Sequence, residues 1–192
     1  MRFERAVVAS KNPDKIAEVE EVLAGLGVVG EVVRGLDWPD VDETEPTLRG
    51  NALLKARAVA LTTGFVSIAD DTGLEVDSLG GAPGVMSARY AGPEASYEDN
   101  VRKLLADLGG RDDRSARFRT VIAVVDPVGQ EWTAEGAVEG LIVPEPRGVY
   151  GFGYDPVFEV GGRTLGEMTT EEKSSISHRA RALRALAELF TD

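Results

Sequence analysis

Apolar positions along the 192 residues recur in two rhythms. Short runs at Arg5 to Ala9, near Glu31–Val33, and at Phe65 to Ala69, Ala116 to Val125 and Glu131 to Val138 have the length and β-branched content of strands. Asp126-Pro127-Val128-Gly129 between the last two reads as a hairpin turn. Phe118, Thr120, Ile122 and Val124 alternate with Arg117 and Arg119, so one face of that strand is partly wet at its start. Other stretches repeat at helical spacing. Ile16, Val19, Leu23 and Leu26 form one stripe, and a second helix is predicted from Leu48 to Thr63, closed by Gly64. Val101, Leu104, Leu105 and Leu108 form a third stripe behind Ser96, which with Asp99 resembles a capping box. Ile176, Ala180, Leu183, Ala187 and Phe190 form a C-terminal stripe. Strands interleaved with helices predict an α/β fold, and the length suits a single domain with a sizeable core.

The polar breaks between these runs carry the candidate chemistry. Asp70 and Asp71 stand where the run at Phe65 ends, Thr72-Gly73 then turns the chain, and Gly80-Gly81-Ala82-Pro83-Gly84 makes a second loop. Adjacent carboxylates repel and call for a donor, a shared proton or a cation, and hard oxygen ligands suit Mg²⁺. A turn whose aspartates cap the next element is an equal alternative. Ser10-Lys11-Asn12-Pro13-Asp14-Lys15 opens the first helix, with Asn12 as N-cap and Pro13 at its first position. Such a terminus is a natural seat for phosphate, and Lys15 in the first turn runs against the dipole preference unless an anion binds there. Asn51 and Lys55 share a helix face.

Gly148-Val149-Tyr150-Gly151-Phe152-Gly153-Tyr154-Asp155-Pro156 sets three aromatics among glycines. Its rings either stack on a flat ligand or, as the residues alone favour, pin the loop to the core through Phe152 and Tyr150. His178, the single histidine, lies two positions beyond Ile176, about 200° around a helix at ~100° per residue. That places it off the apolar face, exposed at a helix start.

Composition narrows the partners. A net charge of −12 disfavours nucleic acid and would repel a free polyphosphate lacking local cations or a metal. The absence of cysteine excludes disulfides, thiolate metal sites and thiol nucleophiles. With neither a long apolar leader nor a spanning run, a soluble cytoplasmic protein away from membranes is the default expectation. No P-loop sequence is present.

Six motifs in order make the chain resemble the inosine triphosphate pyrophosphatase family, the Ham1-like nucleoside-triphosphate pyrophosphatases. They are Ser10-x-Asn12-x-x-Lys15, Gly50-Asn51-Ala52-Leu53-Leu54-Lys55-Ala56, Ala69-Asp70-Asp71-Thr72-Gly73-Leu74, Gly80 to Gly84 with Ser87-Ala88-Arg89-Tyr90, Gly151 to Pro156, and Glu171 to Arg179. The resemblance implies an elongated α/β structure with a mixed, curved sheet flanked by helices in two lobes around a cleft. It also implies a Mg²⁺-dependent homodimer that hydrolyses ITP, dITP and XTP to the monophosphate and pyrophosphate.

Carried over residue by residue, the segment Ser10, Lys11, Asn12, Pro13, Asp14 and Lys15 would hold the triphosphate, with Lys55 a second lysine on the phosphate side and Thr72 at the substrate. Asp71 would be the general base and, with Glu43, hold the metal, with Asp70 beside it. Phe152, Gly153, Tyr154 and Asp155 would stack on the base, overriding the core-pinning alternative. Lys173, His178 and Arg179 would surround the base, where donors select a 6-oxo acceptor. Two rivals follow from related chemistry: a Maf-like pyrophosphatase for modified nucleotides, and a nucleotide-binding regulatory module without catalysis.

Overall fold

The computed structural model describes residues 3–190. Among these residues eight strands and five α-helices follow in order: β1 (Phe3–Val8), α1 (Pro13–Leu26), β2 (Val29–Val32), α2 (Leu48–Thr63), β3 (Val66–Val76), β4 (Pro83–Gly84), α3 (Tyr97–Asp107), β5 (Ser115–Val125), β6 (Glu131–Ile142), β7 (Phe158–Val160), β8 (Arg163–Thr164), α4 (Thr170–Ile176) and α5 (His178–Glu188). The strands follow the order β2-β1-β3-β5-β6-β7-β8, with β4 paired to β3 off that path. The sheet is mixed, parallel at β1 with β2 and β3 and antiparallel at β3 with β4. None of the helices among the described residues is long and apolar enough to cross a membrane.

The chain divides into two compact units. Of the described residues, the first takes 3–71, 120–136 and 178–190; the second takes 72–119 and 137–177. In the first, β1 pairs in parallel with β2 (Ala6↔Val32) and with β3 (Ala6↔Val66). Its core gathers Ala6, Val8, Val19, Leu23, Ile68, Ile122, Val124, Leu183 and Leu186. Phe3, Trp132 and Phe190 meet there edge to face, with centroids 5.1 to 5.6 Å apart. Helix α5 lies against β6 at Gly136, where a Cβ would come within 2.2 Å of the His178 carbonyl and 2.3 Å of the Ala182 nitrogen. Only glycine admits that approach.

In the second unit β3 pairs antiparallel with β4 (Leu74↔Gly84), and β6, β7 and β8 run antiparallel in turn. Its core holds Leu74, Val76, Leu104, Leu108, Phe118, Val157 and Phe158 around Tyr154.

Local signals set most element starts. Asn12 caps α1 by accepting from the Asp14 and Lys15 amides. Ser96 and Asp99 form the expected capping box of α3, and Gly64 closes α2 in the left-handed region at φ 70°.

Three expectations change. Thr72-Gly73 is not a turn: β3 runs through it, because strand pairing continues at Leu74 and the Ser87 hydroxyl accepts from the Leu74 amide at 2.8 Å. β6 extends past Val138 to Ile142 because it goes on pairing with β7 (Leu141↔Glu159, Ile142↔Phe158), an approach that Gly140 admits by having no side chain. His178 is buried, at 3% exposure. The phase drawn from Ile176 fails because Ser177, extended at φ −63°, ψ 152°, separates α4 from α5. Ile176 and His178 therefore belong to different helices.

Candidate functional site

Asp70 and Asp71 are adjacent on β3, and a strand sends consecutive side chains to opposite faces. Each finds its own cations, which resolves the repulsion expected between neighbours. Asp70, 4% exposed, accepts from the Arg179 Nη2 at 3.0 Å and lies 3.3 Å from the Lys15 Nζ. Arg179, 2% exposed, also pairs with Glu18 on α1. Burial alone would raise the Asp70 carboxyl, but Lys15, Arg179 and Lys55 outweigh it and hold the group well below the usual carboxylate range. The first-turn Lys15 thus has an anion within the fold, namely Asp70.

Asp71 faces a different set. The Lys55 Nζ donates to Asp71 Oδ1 at 2.9 Å and to Glu43 Oε1 at 2.5 Å. The Asn51 amide reaches Asp71 Oδ2 at 3.5 Å while its oxygen accepts from the Glu45 amide at 2.9 Å. Asn51 and Lys55 stand one turn apart on α2, so the helix delivers both to one carboxylate. Burial pushes the Asp71 carboxyl up; Lys55 pulls against that and Glu43 adds to it, leaving a net rise. Lys55 is likewise raised: desolvation opposes its charge, but Asp71, Asp70 and Glu43 together prevail. In the acidic loop that precedes α2, Glu43 is half-buried while Asp37, Asp40 and Asp42 face solvent.

Two hard carboxylates converging on one ammonium form a donor set that fits a divalent cation such as Mg²⁺. Among the described residues no group of three or more acid, histidine or cysteine side chains gathers as a metal cage. Mg²⁺ commonly keeps water and takes substrate phosphate oxygens alongside one or two carboxylates, so a two-acid set suits it.

At the start of α1, Ser10 Oγ accepts from the Asn12 amide at 3.2 Å. Lys11 forms an exposed ion pair with Asp40 at 2.5 Å, and Pro13 and Asp14 occupy the exposed first turn. His178 Nδ1 lies 2.6 Å from the Thr120 Oγ1, both buried.

The remaining predicted residues lie in the second unit. Thr72 is half-buried on β3. Asp155, 2% exposed, ties the aromatic loop together: its Oδ2 accepts from the Lys173 Nζ at 2.6 Å and the Phe152 amide at 2.8 Å. Gly151 packs so closely that a Cβ would sit 2.2 Å from that oxygen, and Gly153 takes the left-handed region at φ 63°. Phe152 tilts against Tyr97 with centroids 5.9 Å apart, and the Lys173 Nζ lies 4.7 Å from its ring centre. Tyr154 is buried and donates to the Ser87 carbonyl at 2.9 Å, whereas Tyr150 is 51% exposed. The loop is pinned by Tyr154, not by Tyr150.

Four participants were absent from the sequence-based set: Glu18, Asn51, Thr120 and Tyr97. Only Asn51 carried a signal, its one-turn spacing from Lys55; the others reach their partners from distant segments.

Comparison with known proteins adds an independent line. A model of the Ham1 family matches residues 6–189. The chain is 44% identical to the dITP/XTP pyrophosphatase of Bacillus subtilis (strain 168), covering 98% of each. It is 50% identical to the dITP/XTP pyrophosphatase of Chlorobaculum tepidum, over 95% of this chain and 90% of that one. The solved structure of a HAM1 protein from Coxiella burnetii matches with a TM-score of 0.87 at 40% identity, over 98% of each chain.

Proposed function

The chain belongs to the Ham1 family, and on that footing we propose that it hydrolyses 6-oxo purine nucleoside triphosphates (ITP, dITP and XTP) to the monophosphate and pyrophosphate. The observation that carries the reading is the buried Asp71 beside Lys55 and Glu43. A general base works best with a proton affinity near the operating pH, and the Asp71 carboxyl is displaced upward, toward that range.

In this reading water attacks the α-phosphorus. The new bond joins water oxygen to Pα, the bond from Pα to the β-bridging oxygen breaks, and pyrophosphate leaves. Asp71 accepts the water's proton. Lys55 and Lys15 supply positive charge to the polyphosphate, and Ser10, Lys11, Asn12, Pro13 and Asp14 shape the seat at the start of α1. Glu43 and Asp71 would hold Mg²⁺, which when bound neutralises phosphate charge and makes water more acidic. Phe152 offers a stacking ring, with Gly153, Tyr154 and Asp155 setting its loop, and Thr72 lies beside the substrate. Lys173, His178 and Arg179 contribute donors or the charge that orients them, favouring a 6-oxo acceptor over a 6-amino group. The working form is a homodimer in the cytoplasm, acting on free nucleotides.

Pyrophosphate release from ITP, dITP, XTP, GTP, ATP and dUTP, with and without Mg²⁺, tests the reading. Mg²⁺-dependent turnover of the first three, with ATP and dUTP far slower, is expected. Preference for a modified pyrimidine nucleotide, or tight binding without turnover, refutes it. Asp71→Asn should abolish most turnover while leaving nucleotide affinity largely intact.

A further inference from the structure

Residues 33–47, which carry Glu43, form neither helix nor strand, so no ladder of main-chain bonds holds that acid in place. What holds it comes from α2. At Gly50 the loop packs so closely that a Cβ would lie 2.6 Å from the Glu45 Cβ. One position on, Asn51 is 0% exposed, and its Oδ1 accepts from the Glu45 amide at 2.9 Å. One turn further, Lys55 donates to Glu43 itself.

On local grounds Asn51 is an unfavourable choice. Asparagine is among the weaker helix formers, and burying its amide is costly unless its polar ends are bonded. Both ends are engaged here. A main-chain N–H can only donate, so the atom that meets the Glu45 amide is the oxygen, and the orientation of the side chain does not rest on a distance. The NH2 group is thereby turned the other way, toward Asp71 Oδ2 at 3.5 Å. A contact of that length gives direction more than strength; the firm bond is the one to the loop.

We propose that Asn51 is a positioning residue for Glu43 and Asp71: by anchoring the loop through the Glu45 amide and facing Asp71 with its NH2 group, it sets the separation at which the two carboxylates meet a divalent cation. This rests on the reading of those acids as the Mg²⁺ set. Lys55 does not do the same work, because a charge on a flexible stem attracts both acids without fixing the main chain between them. Groups that orient metal ligands in this way change metal affinity or activity about 10- to 100-fold when removed.

Two variants of the full-length protein separate the two contacts. Asn51→Leu keeps the branched shape and removes both. Asn51→Asp keeps the shape and the acceptor for Glu45 but turns a negative charge toward Asp71. In Asn51→Leu the Glu45 amide should exchange with solvent at least about tenfold faster by NMR. The same variant should bind Mn²⁺ alone, followed by EPR without nucleotide, roughly 10- to 100-fold more weakly, and lose kcat for ITP on the same scale. Asn51→Asp should leave the Glu45 amide protected and still lower kcat about tenfold or more. An asparagine that only supported the fold would lower the melting midpoint and leave Mn²⁺ affinity unchanged at temperatures where the variant is folded.

An Asn51→Leu protein that is folded by circular dichroism and keeps wild-type Mn²⁺ affinity, or the wild-type exchange rate at Glu45, overturns the proposal. If Asn51→Leu does not fold, Asn51→Asp decides, and a wild-type kcat in that variant overturns it equally. Where the amide and Mn²⁺ respond as expected but the wild type turns over no 6-oxo nucleotide, the positioning role stands and the substrate reading falls.

Discussion

Arg179→Met replaces a buried cation with an apolar side chain of comparable length and leaves two carboxylates short of a partner. In the native chain the guanidinium, 2% exposed, donates to Asp70 at 3.0 Å and 3.3 Å and pairs with Glu18. Asp70 would keep the Lys15 Nζ at 3.3 Å but lose its guanidinium partner. Breaking a buried pair by removing one partner costs about 3–5 kcal/mol, because the other charge stays desolvated. With a urea slope of roughly 2–3 kcal/mol/M for a chain of this size, the unfolding midpoint should fall by about 1–2.5 M. Trp132, in the same unit and packed against both Phe3 and Phe190, contributes a fluorescence signal from that core. Asp70→Asn combined with Arg179→Met should cost less than the two single changes added, with about 1–3 kcal/mol of coupling.

The sign with pH is fixed by the same pair. The Asp70 carboxyl lies below its unfolded value when folded, so its stabilisation is complete above about pH 5 and declines as pH falls below ~4. Without Arg179 the carboxyl moves up, so the stability gap between wild type and variant should narrow on acidification. A loss under ~1 kcal/mol, strict additivity of the two changes, or a gap that widens in acid would refute the buried network.

Other consequences are as direct. Lys55→Met removes the group that pulls the Asp71 carboxyl down, so the acid limb of kcat/KM for ITP should move to higher pH as turnover falls; an unmoved limb would remove Asp71 as the base. Gly136→Ala drives a methyl into the backbone of α5 and should lower stability by about 1–3 kcal/mol on thermal unfolding. An unchanged midpoint would mean that α5 does not lie on β6 as described. Ser96→Ala deletes the α3 cap and should cost ~1 kcal/mol in urea, with Ser96→Asp recovering most of it.

What could be read directly from the chain was local. The start of α1 at Asn12-Pro13, the box at Ser96 and Asp99, and the glycine closing α2 depend on residues within one turn of each other, and they form as their chemistry dictates. The turn after Asp126 is equally local, its carboxylate accepting from the Val128 and Gln130 amides. Asp70-Asp71 looked like a strand end because charge usually marks a surface. Here the charge is buried, and what permits that arrives from elsewhere: Lys15 from α1, Lys55 from α2, Arg179 from α5. Hydrophobic periodicity carries no record of such pairings.

The case of His178 shows how a periodic signal misleads even where it is strong. The C-terminal stripe is real for Ala180, Leu183 and Ala187, all buried. Its first member, Ile176, sits on α4 and packs in the second unit, across the break at Ser177. A phase counted through that break predicted exposure for a residue that is 3% exposed. The break is where the chain leaves one unit and enters the other, so the two helices answer to different cores. Burial of His178 follows from α5 being packed on more than one side: Gly136 admits its backbone and Thr120 its ring. Helical spacing reports a single apolar face, and a helix that buries a polar first turn as well as an apolar stripe needs partners on β5 and β6 that no count along α5 can supply. The contact between Thr120 and His178 joins residues 58 positions apart, a pairing that no local pattern encodes.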